Sequence, residues 1–446
     1  MEFDRSIFKA YDIRGIVPDQ LTPEIAYRIG NALAGYLKPQ AIAVGRDMRV
    51  SSPALFDALS GGIMDRGVDV VDLGMVSTDA LYFAVGKYGY DGGVMITASH
   101  NPPEYNGFKV CRKEAVPLSG SQGLDVIAED LAADRVEKSS RTGSIARRDI
   151  SADFAAHVLS FIDPTVIRPF SIVLDAGNGM AGQILTPVFA KLPCKVTPLY
   201  YTPDGTFPNH APNPIEAKNL IALQAEMKKV NADLGAAFDG DADRMFLLDR
   251  HGRALGGDMV TALVADNILT RHPGETILYN LICSRAVPEL IARRRGMAIR
   301  TRVGHAIIKP LMKKHNAVFG GEHSGHFYFR ENWFADSGLI ALLVCLELLS
   351  RSGRELHEIL KEIDPYVRSG EINSRVADGE KKIEEVAAVF RDGEADRIDG
   401  LTVQYRDWWF NLRPSNTEPL LRLNVEASGR DLLDEKVKKL LDVIRS

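Results

Sequence analysis

Short runs of β-branched and other apolar residues alternate with helical patterns over the first four-fifths of the chain. The pattern begins at residues 41–44, starts again at 171–174 and starts a third time at 276–279. Alternation of this kind is typical of βαβ units, in which helices cover a mostly parallel sheet. It predicts three α/β domains of similar layout and suggests a structural repeat, although the three sequences have little identity.

Each of the three units has its own set of predicted elements. The first has strands at 41–44, 68–73 and 93–96, with a helix that Ser51-Ser52-Pro53 caps and that has proline at its first position. The second has strands at 171–174, 195–199 and 234–238 and an amphipathic helix at 216–230. The third has strands at 276–279, near Ile299 and at 317–319, with a helix that runs to Arg295.

The pattern changes after Pro365. Strands at 371–376, 401–405 and 420–425 and helices near 383–390 and 432–444 predict a smaller α+β domain. Short linkers lie near 147–150, 251–257 and 365–369. We therefore expect four domains, at residues 1–150, 151–254, 255–367 and 368–446.

Charge and cysteine content exclude several classes of protein. The 446 residues carry a net charge of -5, which provides no general attraction to nucleic acid or to an anionic membrane. The four cysteines lie far apart, which argues against disulfide frameworks and zinc clusters. The start lacks signal-peptide features, and the longest apolar run, residues 339–346, is too short to span a membrane. A cytoplasmic protein is expected, and its oligomeric state is left open.

Three carboxylates at alternate positions follow the strand at 234–238. Asp239, Asp241 and Asp243 have the spacing and the oxygen chemistry that suit a divalent cation such as Mg²⁺. An EF-hand is excluded, because it would need glycine where Arg244 stands and glutamate where Arg250 stands. A solvated acidic turn is the alternative. Because crowded carboxylates repel one another without a cation, a metal site is the favoured interpretation.

A polar, proline-stiffened loop follows the strand at 93–96. It contains Ser99, His100 and Asn101, and Lys109 lies a few residues further on. A serine on a rigid loop can be a nucleophile or carry a phosphoryl group, and a turn in which Ser99 caps the backbone is an equal alternative. The segment lacks the Gly-x-Ser-x-Gly pattern, which disfavours α/β-hydrolase chemistry.

Residues 320–326 form another polar loop after a strand. Glu322, Ser324 and the two histidines His323 and His326 suit hydrogen bonding to neighbouring sugar hydroxyls. Zinc is a weaker alternative, because the two histidines lack the helical H-E-x-x-H arrangement.

A late loop has the chemistry of an anion site. Arg413, Ser415, Asn416 and Thr417 offer a guanidinium, two hydroxyls, an amide and the N–H groups of a turn. A surface turn is an equal alternative on composition alone. Upstream, Gly304 and His305 precede a predicted helix. His305 is a candidate acid/base or phosphate donor, although a single histidine is more often structural.

Five motifs in this order resemble the α-D-phosphohexomutase superfamily, and its bacterial phosphomannomutase/phosphoglucomutase branch in particular. The motifs are Lys-Ala-Tyr-Asp-Ile-Arg-Gly at 9–15, Thr-Ala-Ser-His-Asn-Pro at 97–102, Asp-Gly-Asp-Ala-Asp-Arg at 239–244, Gly-Glu-His-Ser-Gly-His at 321–326 and Arg-Pro-Ser-Asn-Thr at 413–417. The resemblance covers essentially the whole chain. It implies four domains in a heart-shaped arrangement, with one loop of each facing a central cleft.

The resemblance also implies roles for individual residues. Ser99 would be phosphorylated, and Asp239, Asp241 and Asp243 would bind Mg²⁺ together with its phosphate. Glu322 and Ser324 would hold sugar hydroxyls, and Arg413, Ser415, Asn416 and Thr417 would bind the phosphate that is not reacting. Further residues are expected in the cleft: His100, Lys109, Arg244 and His305 as catalytic residues, and Tyr11, Arg14, Ser284, Arg285, Gly304 and His326 as substrate contacts.

The implied activity is the interconversion of hexose 1-phosphate and hexose 6-phosphate through a phosphoserine and a hexose 1,6-bisphosphate. Lys109 and His305 are the two candidates for the general acid/base. The stretch from 369–374 through 411–413 looks like phosphomannomutases of GDP-mannose pathways, so mannose is favoured and glucose is expected as a second substrate. The alternatives are a phosphoglucosamine mutase, a metal-dependent sugar-phosphate phosphohydrolase and a silent sugar-phosphate binding protein.

Two positions depart from the family pattern. Ile282 stands where many members have a lysine that contacts substrate, and Arg285 is the candidate replacement. His323 stands where methionine is frequent and where phosphoglucosamine mutases tend to carry glutamine, which lowers the glucosamine alternative.

Overall fold

Four β-sheets follow one another along the chain of the computed structural model. The structure describes residues 3–415 and 420–446, without the side chains of residues 121, 305 and 306. Three sheets are mixed and carry helices between their strands, and the fourth is antiparallel. We call the units built on these sheets domains I to IV. The predicted fold class, three α/β domains and a C-terminal α+β domain, is confirmed.

Domain I has a seven-stranded sheet in the order β1-β5-β4-β2-β3-β7, with β6 paired to β5. Its strands are β1 (Ile13–Ile16), β2 (Ala41–Arg46), β3 (Asp69–Met75), β4 (Gly92–Ile96), β5 (Tyr105–Arg112), β6 (Val116–Pro117) and β7 (Ile145–Arg147). Its helices are α1 (Pro23–Leu37), α2 (Ser52–Asp65), α3 (Thr78–Tyr88) and α4 (Leu124–Ala132).

Domains II and III each have a four-stranded sheet, in the orders β11-β10-β8-β9 and β13-β12-β14-β15. Domain II contains α5 (Ser151–Leu159), β8 (Ser171–Asp175), α6 (Ala181–Phe189), β9 (Lys195–Leu199), α7 (Ile221–Val230), β10 (Leu234–Phe238) and β11 (Met245–Asp249). Domain III contains α8 (Gly257–Arg271), β12 (Thr276–Asn280), α9 (Ala286–Arg293), β13 (Met297–Thr301), α10 (His305–His315), β14 (Phe319–Gly321), β15 (Phe327–Phe329), α11 (Gly338–Ser352) and α12 (Leu356–Ile363).

Domain IV has an antiparallel sheet in the order β16-β20-β19-β18-β17. Its elements are β16 (Val367–Arg375), α13 (Gly379–Val389), β17 (Glu394–Asp396), β18 (Leu401–Gln404), β19 (Trp408–Pro414), β20 (Leu420–Ala427) and α14 (Arg430–Ile444).

The four predicted loops occupy equivalent places in the four sheets. The serine loop joins β4 to β5, the aspartate loop joins β10 to β11, and the sugar loop joins β14 to β15, each pair being antiparallel. The late loop joins the antiparallel strands β19 and β20. In domains I to III the strand before the loop also pairs with a parallel strand, so each loop leaves the carboxyl end of a βαβ unit. This shared layout is the structural repeat that the alternating pattern suggested.

Some strands and boundaries differ from the sequence-based prediction. The strand predicted at 317–319 begins at Phe319 and continues through Gly320 and Gly321, two residues assigned to the loop. A side chain at Gly321 would collide with Thr261 of α8, so only glycine lets this strand lie against the helix. The return strands β5, β11, β15 and β19 were not predicted.

The largest apolar cluster joins three domains, whereas a second cluster in domain I and the cluster in domain IV each stay within one domain. One continuous cluster includes α3, α5, α6, α8 and α11 and therefore joins domains I, II and III. Domain IV has a cluster of its own. The apolar run at 339–346 lies in α11 within the shared core. None of the helices that the structure describes has the length and apolarity to cross a bilayer.

Ion pairs and hydrogen bonds connect domain IV to domain III. Arg368 at the start of β16 lies with Nε 3.2 Å from Asp258 Oδ2 and 3.1 Å from Glu426 Oε2. Arg300 on β13 pairs with Asp396 on β17. Buried carboxylates need cationic partners. Arg368 therefore connects Asp258, in the first turn of α8, with Glu426, near the end of β20.

Candidate active site

The serine and aspartate loops meet at the interface of domains I and II. The hydroxyl of Ser99 donates to Asp239 Oδ2 at 2.7 Å, and Arg244 Nη2 donates to Ser99 Oγ at 3.1 Å. His100 Nδ1 lies 3.3 Å from the same oxygen. Ser99 is only 4% exposed. The hydroxyl is thus held between an acceptor and a cation, away from bulk water.

The backbone at Ser99 is set by local contacts. Its φ of 51° lies in the left-handed region, where L-residues are uncommon, and its N–H donates to Thr97 Oγ1 at 2.9 Å. Gly240 of the aspartate loop lies beside it, and a Cβ there would come within 2.5 Å of the Ser99 carbonyl oxygen. The glycine between Asp239 and Asp241 therefore allows the two loops to approach this closely.

Arg49 holds the serine loop and was missed by the sequence analysis. This 1% exposed side chain follows β2 and donates to the carbonyl oxygens of Ser99 and Asn101, at 2.9 and 2.7 Å, and to those of Pro102 and Tyr105, at 2.6 and 2.9 Å. Its Nε lies 3.2 Å from Asp47 Oδ2. Because β2 and β4 are neighbouring parallel strands, their carboxyl ends bring Arg49 beside the loop.

The three aspartates of the acidic loop are all buried, at 0 to 1% exposure. Lys109 on β5 donates to Asp241 Oδ2 at 2.7 Å and to Asp243 Oδ2 at 2.5 Å. The other oxygens, Asp241 Oδ1 and Asp243 Oδ1, are buried without a hydrogen-bond partner among the described residues. One oxygen from each of the three carboxylates lies within 4.8 Å of the others. This donor set fits a hard divalent cation.

The ionisation of these groups depends on burial and on their cations. Burial raises the pKa of Asp239 to about 7, although Arg244 opposes the shift. Burial would lower the pKa of Lys109, but the carboxylates of Asp241 and Asp243 raise it well above its ordinary value. Lys109 is therefore an ammonium, and it offsets part of the carboxylate charge.

The N-terminus of α3 is a second feature that the sequence analysis missed. Thr78 donates through Oγ1 to Asp241 Oδ2 at 2.5 Å and through its N–H to the Asp241 carbonyl at 3.0 Å. The positive end of the helix dipole thus lies against a buried carboxylate, which stabilises its charge. Asp79 is the next residue, and its carboxylate accepts from Ser337 Oγ of domain III at 2.6 Å.

The sugar loop places Glu322 at the meeting point of three segments. Glu322 is 1% exposed and accepts from the N–H of Gly304 at 2.9 Å and from the hydroxyl of Tyr328 at 2.6 Å. His326 Nδ1 lies 2.9 Å from Ser324 Oγ, while its Nε2 lies 3.8 Å from Asp243 Oδ1. His326 therefore connects the sugar loop with the aspartate loop.

The zinc alternative for the sugar loop is not supported. His323 Nδ1 lies 3.8 Å from Asp258 Oδ1, whereas His326 faces Asp243. The two imidazoles are thus directed to different carboxylates and do not converge on one ion.

A cavity of about 630 Å³ lies where domains I, III and IV meet. Its lining includes four of the predicted substrate contacts: Tyr11, Arg14, Arg413 and Ser415. Arg422 also lines it and was not predicted, although it stands directly opposite Arg413 in the β19–β20 register. Arg413 and Arg422 both lie beside Glu371, with shortest N–O distances of 2.8 and 3.4 Å. Asn416 and Thr417 lie outside the described residues.

Two predicted substrate contacts, Ser284 and Arg285, lie close to the contact between domains III and IV. Arg285 donates from Nη1 to the carbonyl of Arg406 at 2.7 Å and from Nη2 to that of Tyr405 at 3.0 Å, so it holds domain IV against domain III. Ser284 is fully buried and accepts from the N–H of Ala286 at the start of α9. The side chain of His305 is not among those that the structure describes.

Replacing Arg49 by methionine is expected to destabilise the protein by about 3–5 kcal/mol, because it leaves Asp47 as a buried charge without its cation. Amides of residues 97–105 should also exchange hydrogen faster, since four loop carbonyls lose their donor. Urea denaturation and hydrogen exchange measure these effects. As a control, Arg135→Ala removes an exposed ion pair and should change stability by less than about 1 kcal/mol. Unchanged exchange in residues 97–105 would contradict the role of Arg49.

Comparison with known proteins agrees with this geometry. Sequence models of the four phosphoglucomutase/phosphomannomutase domains match residues 5–136 (alpha/beta/alpha domain I), 152–252 (domain II), 256–366 (domain III) and 371–443 (C-terminal domain). A protein of Xanthomonas campestris pv. campestris described as "Phosphohexose mutases" is 40% identical over 442 residues, covering 98% of this chain and 99% of the relative. The phosphomannomutase of Salmonella montevideo is 40% identical over 451 residues, with 98% and 99% covered.

A solved structure is similar to this chain over its whole length. The crystal structure of a phosphoglucomutase/phosphomannomutase family protein from Burkholderia thailandensis has a TM-score of 0.91 and 34% identity, covering 100% of this chain and 98% of that one. The chain therefore belongs to the phosphoglucomutase/phosphomannomutase branch of the α-D-phosphohexomutase superfamily, and it is an isomerase that transfers a phosphoryl group within a hexose phosphate.

Proposed function

We propose that the protein interconverts hexose 1-phosphate and hexose 6-phosphate through a phosphoserine at Ser99 and a hexose 1,6-bisphosphate. The observation that carries this proposal is the position of the Ser99 hydroxyl. It lies between Asp239 and Arg244, at 2.7 and 3.1 Å, beside two buried carboxylates with unpartnered oxygens. A phosphoryl group on this oxygen would enter a site already equipped with cations.

The charge balance of the site supports a divalent cation, which we propose to be Mg²⁺. Three carboxylates face two cations, Lys109 and Arg244, and a phosphoserine would add nearly two more negative charges. Asp239, Asp241 and Asp243 would hold the ion together with the Ser99 phosphate. When bound, the ion neutralises charge on the transferring phosphoryl oxygens.

The chain's own groups suit both sides of the transfer. The phosphoryl group leaves Ser99 Oγ and bonds to the free hydroxyl oxygen of the sugar, which loses its proton, while Ser99 Oγ regains one. Arg244 already donates to Ser99 Oγ and would stabilise the negative charge that develops there. Lys109 is an ammonium, so it suits proton donation and charge neutralisation rather than proton abstraction. That His305 acts as the base stays a prediction.

Burial of Ser99 favours transfer to a sugar over transfer to water. Ser99 is 4% exposed and Arg244 is 5% exposed. A phosphohydrolase needs an attacking water at this oxygen, whereas a mutase benefits from its exclusion. We therefore favour a mutase over the phosphohydrolase alternative.

The cavity beside domain IV would bind the phosphate that is not reacting. Arg413 and Arg422 offer two guanidinium groups, and Ser415 offers a hydroxyl that accepts from Arg422 Nη2 at 3.2 Å. The bisphosphate must turn over between the two transfers, so that each of its phosphates faces Ser99 once. One cavity that accepts either end serves both transfers.

The sugar itself would be held from domain III. Glu322 and Ser324 are the proposed ligands of its hydroxyls, with His326 set beside Ser324 and Tyr328 beside Glu322. Relatives at about 40% identity carry the name phosphomannomutase, which supports mannose phosphate as the preferred substrate. Glucose phosphate differs from it only at C2, and we propose it as a second substrate.

Replacing Ser99 by alanine should lower mutase activity by at least about a thousandfold, because the phosphoryl carrier is lost. The assay follows conversion of mannose 1-phosphate to mannose 6-phosphate, and mass spectrometry of the peptide that contains residue 99 detects the phosphate. Ser160→Ala, at an exposed serine, should keep full activity. Near-normal turnover in the Ser99 variant would overturn the mechanism, and stoichiometric release of inorganic phosphate by the wild type would favour the phosphohydrolase.

Removal of divalent metal by EDTA should abolish turnover, and Mg²⁺ should restore it. Asp241→Asn should weaken Mg²⁺ binding by at least about tenfold, because it deletes one anionic ligand from the cluster. Calorimetric titration of the apoprotein with Mg²⁺ measures the change. Asp57→Asn, on the exposed surface of α2, is the matched control and should bind Mg²⁺ as the wild type does. An unaltered titration in the Asp241 variant would place the metal elsewhere.

The kcat/KM for mannose 1-phosphate should exceed that for glucose 1-phosphate by about 2–10-fold, the range that one net hydrogen bond to a hydroxyl provides. Both constants are measured on the same enzyme preparation with the matching 1,6-bisphosphate present. Glucosamine 1-phosphate is the third substrate in the series and should be the poorest. Equal or higher efficiency with glucosamine 1-phosphate would contradict the proposed preference.

A further inference from the structure

A second cavity, of about 730 Å³, lies at the contact between domains I and III, and we call it the outer cavity. Its walls come from α1, from the β5–β6 turn, from α10 and from the segment after β15. None of its lining residues lines the cavity that we assign to the sugar phosphate. Its volume is in the range of small-molecule binding sites.

The lining of the cavity carries more cations than carboxylates, in a protein whose net charge is -5. Its lining contains five cations and one carboxylate; the cations are Arg112, Lys309, Lys313, Lys314 and Arg330, and the carboxylate is Glu114.

Two of these cations lack a charged partner within the described part of the chain. Glu114 pairs with Lys313, Glu275 pairs with Arg330, and Asp336 pairs with Lys309. Arg112 and Lys314 have no carboxylate partner among the residues that the structure describes, and the buried Nε of Arg112 makes no hydrogen bond there. The cavity therefore has positive charge available for an anion.

Aromatic rings form another part of the lining. Tyr36, Trp333 and Phe334 are half-buried there. The ring of Trp333 packs against Gly86 of α3, so closely that a Cβ at that glycine would collide with it. Trp333 also contacts Phe83 and His157, with ring centroids 6.2 and 5.4 Å apart, so only the exposed parts of the three rings provide stacking surface for a planar group.

The backbone on both sides of this cavity is strained. Glu114 and Ala115 have φ values of 60° and 54°, and Trp333 and Phe334 have φ values of 53° and 57°. Left-handed backbone is uncommon at residues other than glycine, and ligand sites are one of the places where it is found. Here two such pairs, from two domains, line one cavity.

We propose that this cavity binds a phosphorylated nucleoside. The planar base would stack on the aromatic wall, and the phosphates would bind the cations, with Arg112 and Lys314 contributing charge that no carboxylate offsets. Inorganic phosphate would leave the aromatic wall unused, and a sugar phosphate has no planar group to stack. A nucleoside diphosphate satisfies both parts of the lining.

One residue connects this cavity with the active site. Lys309 is 4% exposed, and its Nζ lies 2.8 Å from Asp336 Oδ1 and 5.7 Å from the ring centroid of Tyr328. Tyr328 donates to Glu322, which we propose as a ligand of the sugar. The Lys309 ammonium is buried against Asp336, so a ligand in the cavity would act on it through a shift of α10 and would thereby change the KM for the sugar phosphate. This consequence rests on the proposed function, whereas nucleotide binding does not.

Calorimetric titration of the full-length protein with ADP and with GDP tests the proposal without turnover. Both nucleotides should bind at one site per chain, and guanosine and pyrophosphate should each bind at least tenfold more weakly. In the Ser99→Ala variant, which lacks the phosphoryl carrier, saturating glucose 1-phosphate should not displace ADP. Absence of ADP and GDP binding at millimolar concentration would overturn the proposal, as would pyrophosphate binding as tightly as ADP.

Charge-reversal variants locate the site. Lys314→Glu changes an exposed side chain, so the variant should fold normally, and it should weaken ADP binding by at least tenfold. Lys195→Glu, an exposed lysine on β9, is the matched control and should bind ADP normally. Arg413→Ala should also leave ADP binding unchanged. Loss of binding in the Arg413 variant with normal binding in the Lys314 variant would assign the nucleotide to the sugar-phosphate cavity and overturn the proposal.

Discussion

The burial of three carboxylates at one end of domain II is the constraint on which the rest of the site depends. Asp239, Asp241 and Asp243 are withdrawn from water and cannot all remain charged without compensation. Part of the compensating positive charge comes from Arg244 in the same loop. The rest comes from Lys109 and from the N-terminus of α3, both of which belong to domain I. Charge compensation thus holds domain I in one place against domain II, and this placement brings Ser99 to Asp239.

Much of the fold and part of the site could be predicted because the signals are local. The restarting βαβ pattern and the polar residues that follow strands indicated three α/β domains and four loops, and the structure confirms this fold class. Arg49 and Thr78 were missed because their importance depends on which strands and domains are neighbours, which is not a local property. The contacts of Arg285 with the carbonyls of domain IV were missed for the same reason.

The division of the core explains why polar contacts at domain IV matter. Domains I to III share one apolar cluster, and domain IV packs around its own. The described contacts between domains III and IV include Arg285 with carbonyls, Arg300 with Asp396, and Arg368 with Asp258 and Glu426. Asp258 also lies 3.8 Å from His323 of the sugar loop. The position of domain IV is therefore linked physically to the loop that we propose binds the sugar.

In domain III, α10 and the β14–β15 hairpin take part both in the contacts of the sugar loop and in the lining of the outer cavity. Gly304, just before α10, donates to Glu322 on the side of the active site, while Lys313 and Lys314 face the outer cavity. The hairpin likewise carries Tyr328 toward Glu322 and is followed by Trp333 and Phe334 on the outer side. Because a packed helix and hairpin move as units rather than deforming atom by atom, a ligand that shifts α10 from outside must also move the N–H that holds Glu322. The same two elements therefore provide a mechanical connection between the outer cavity and the sugar loop.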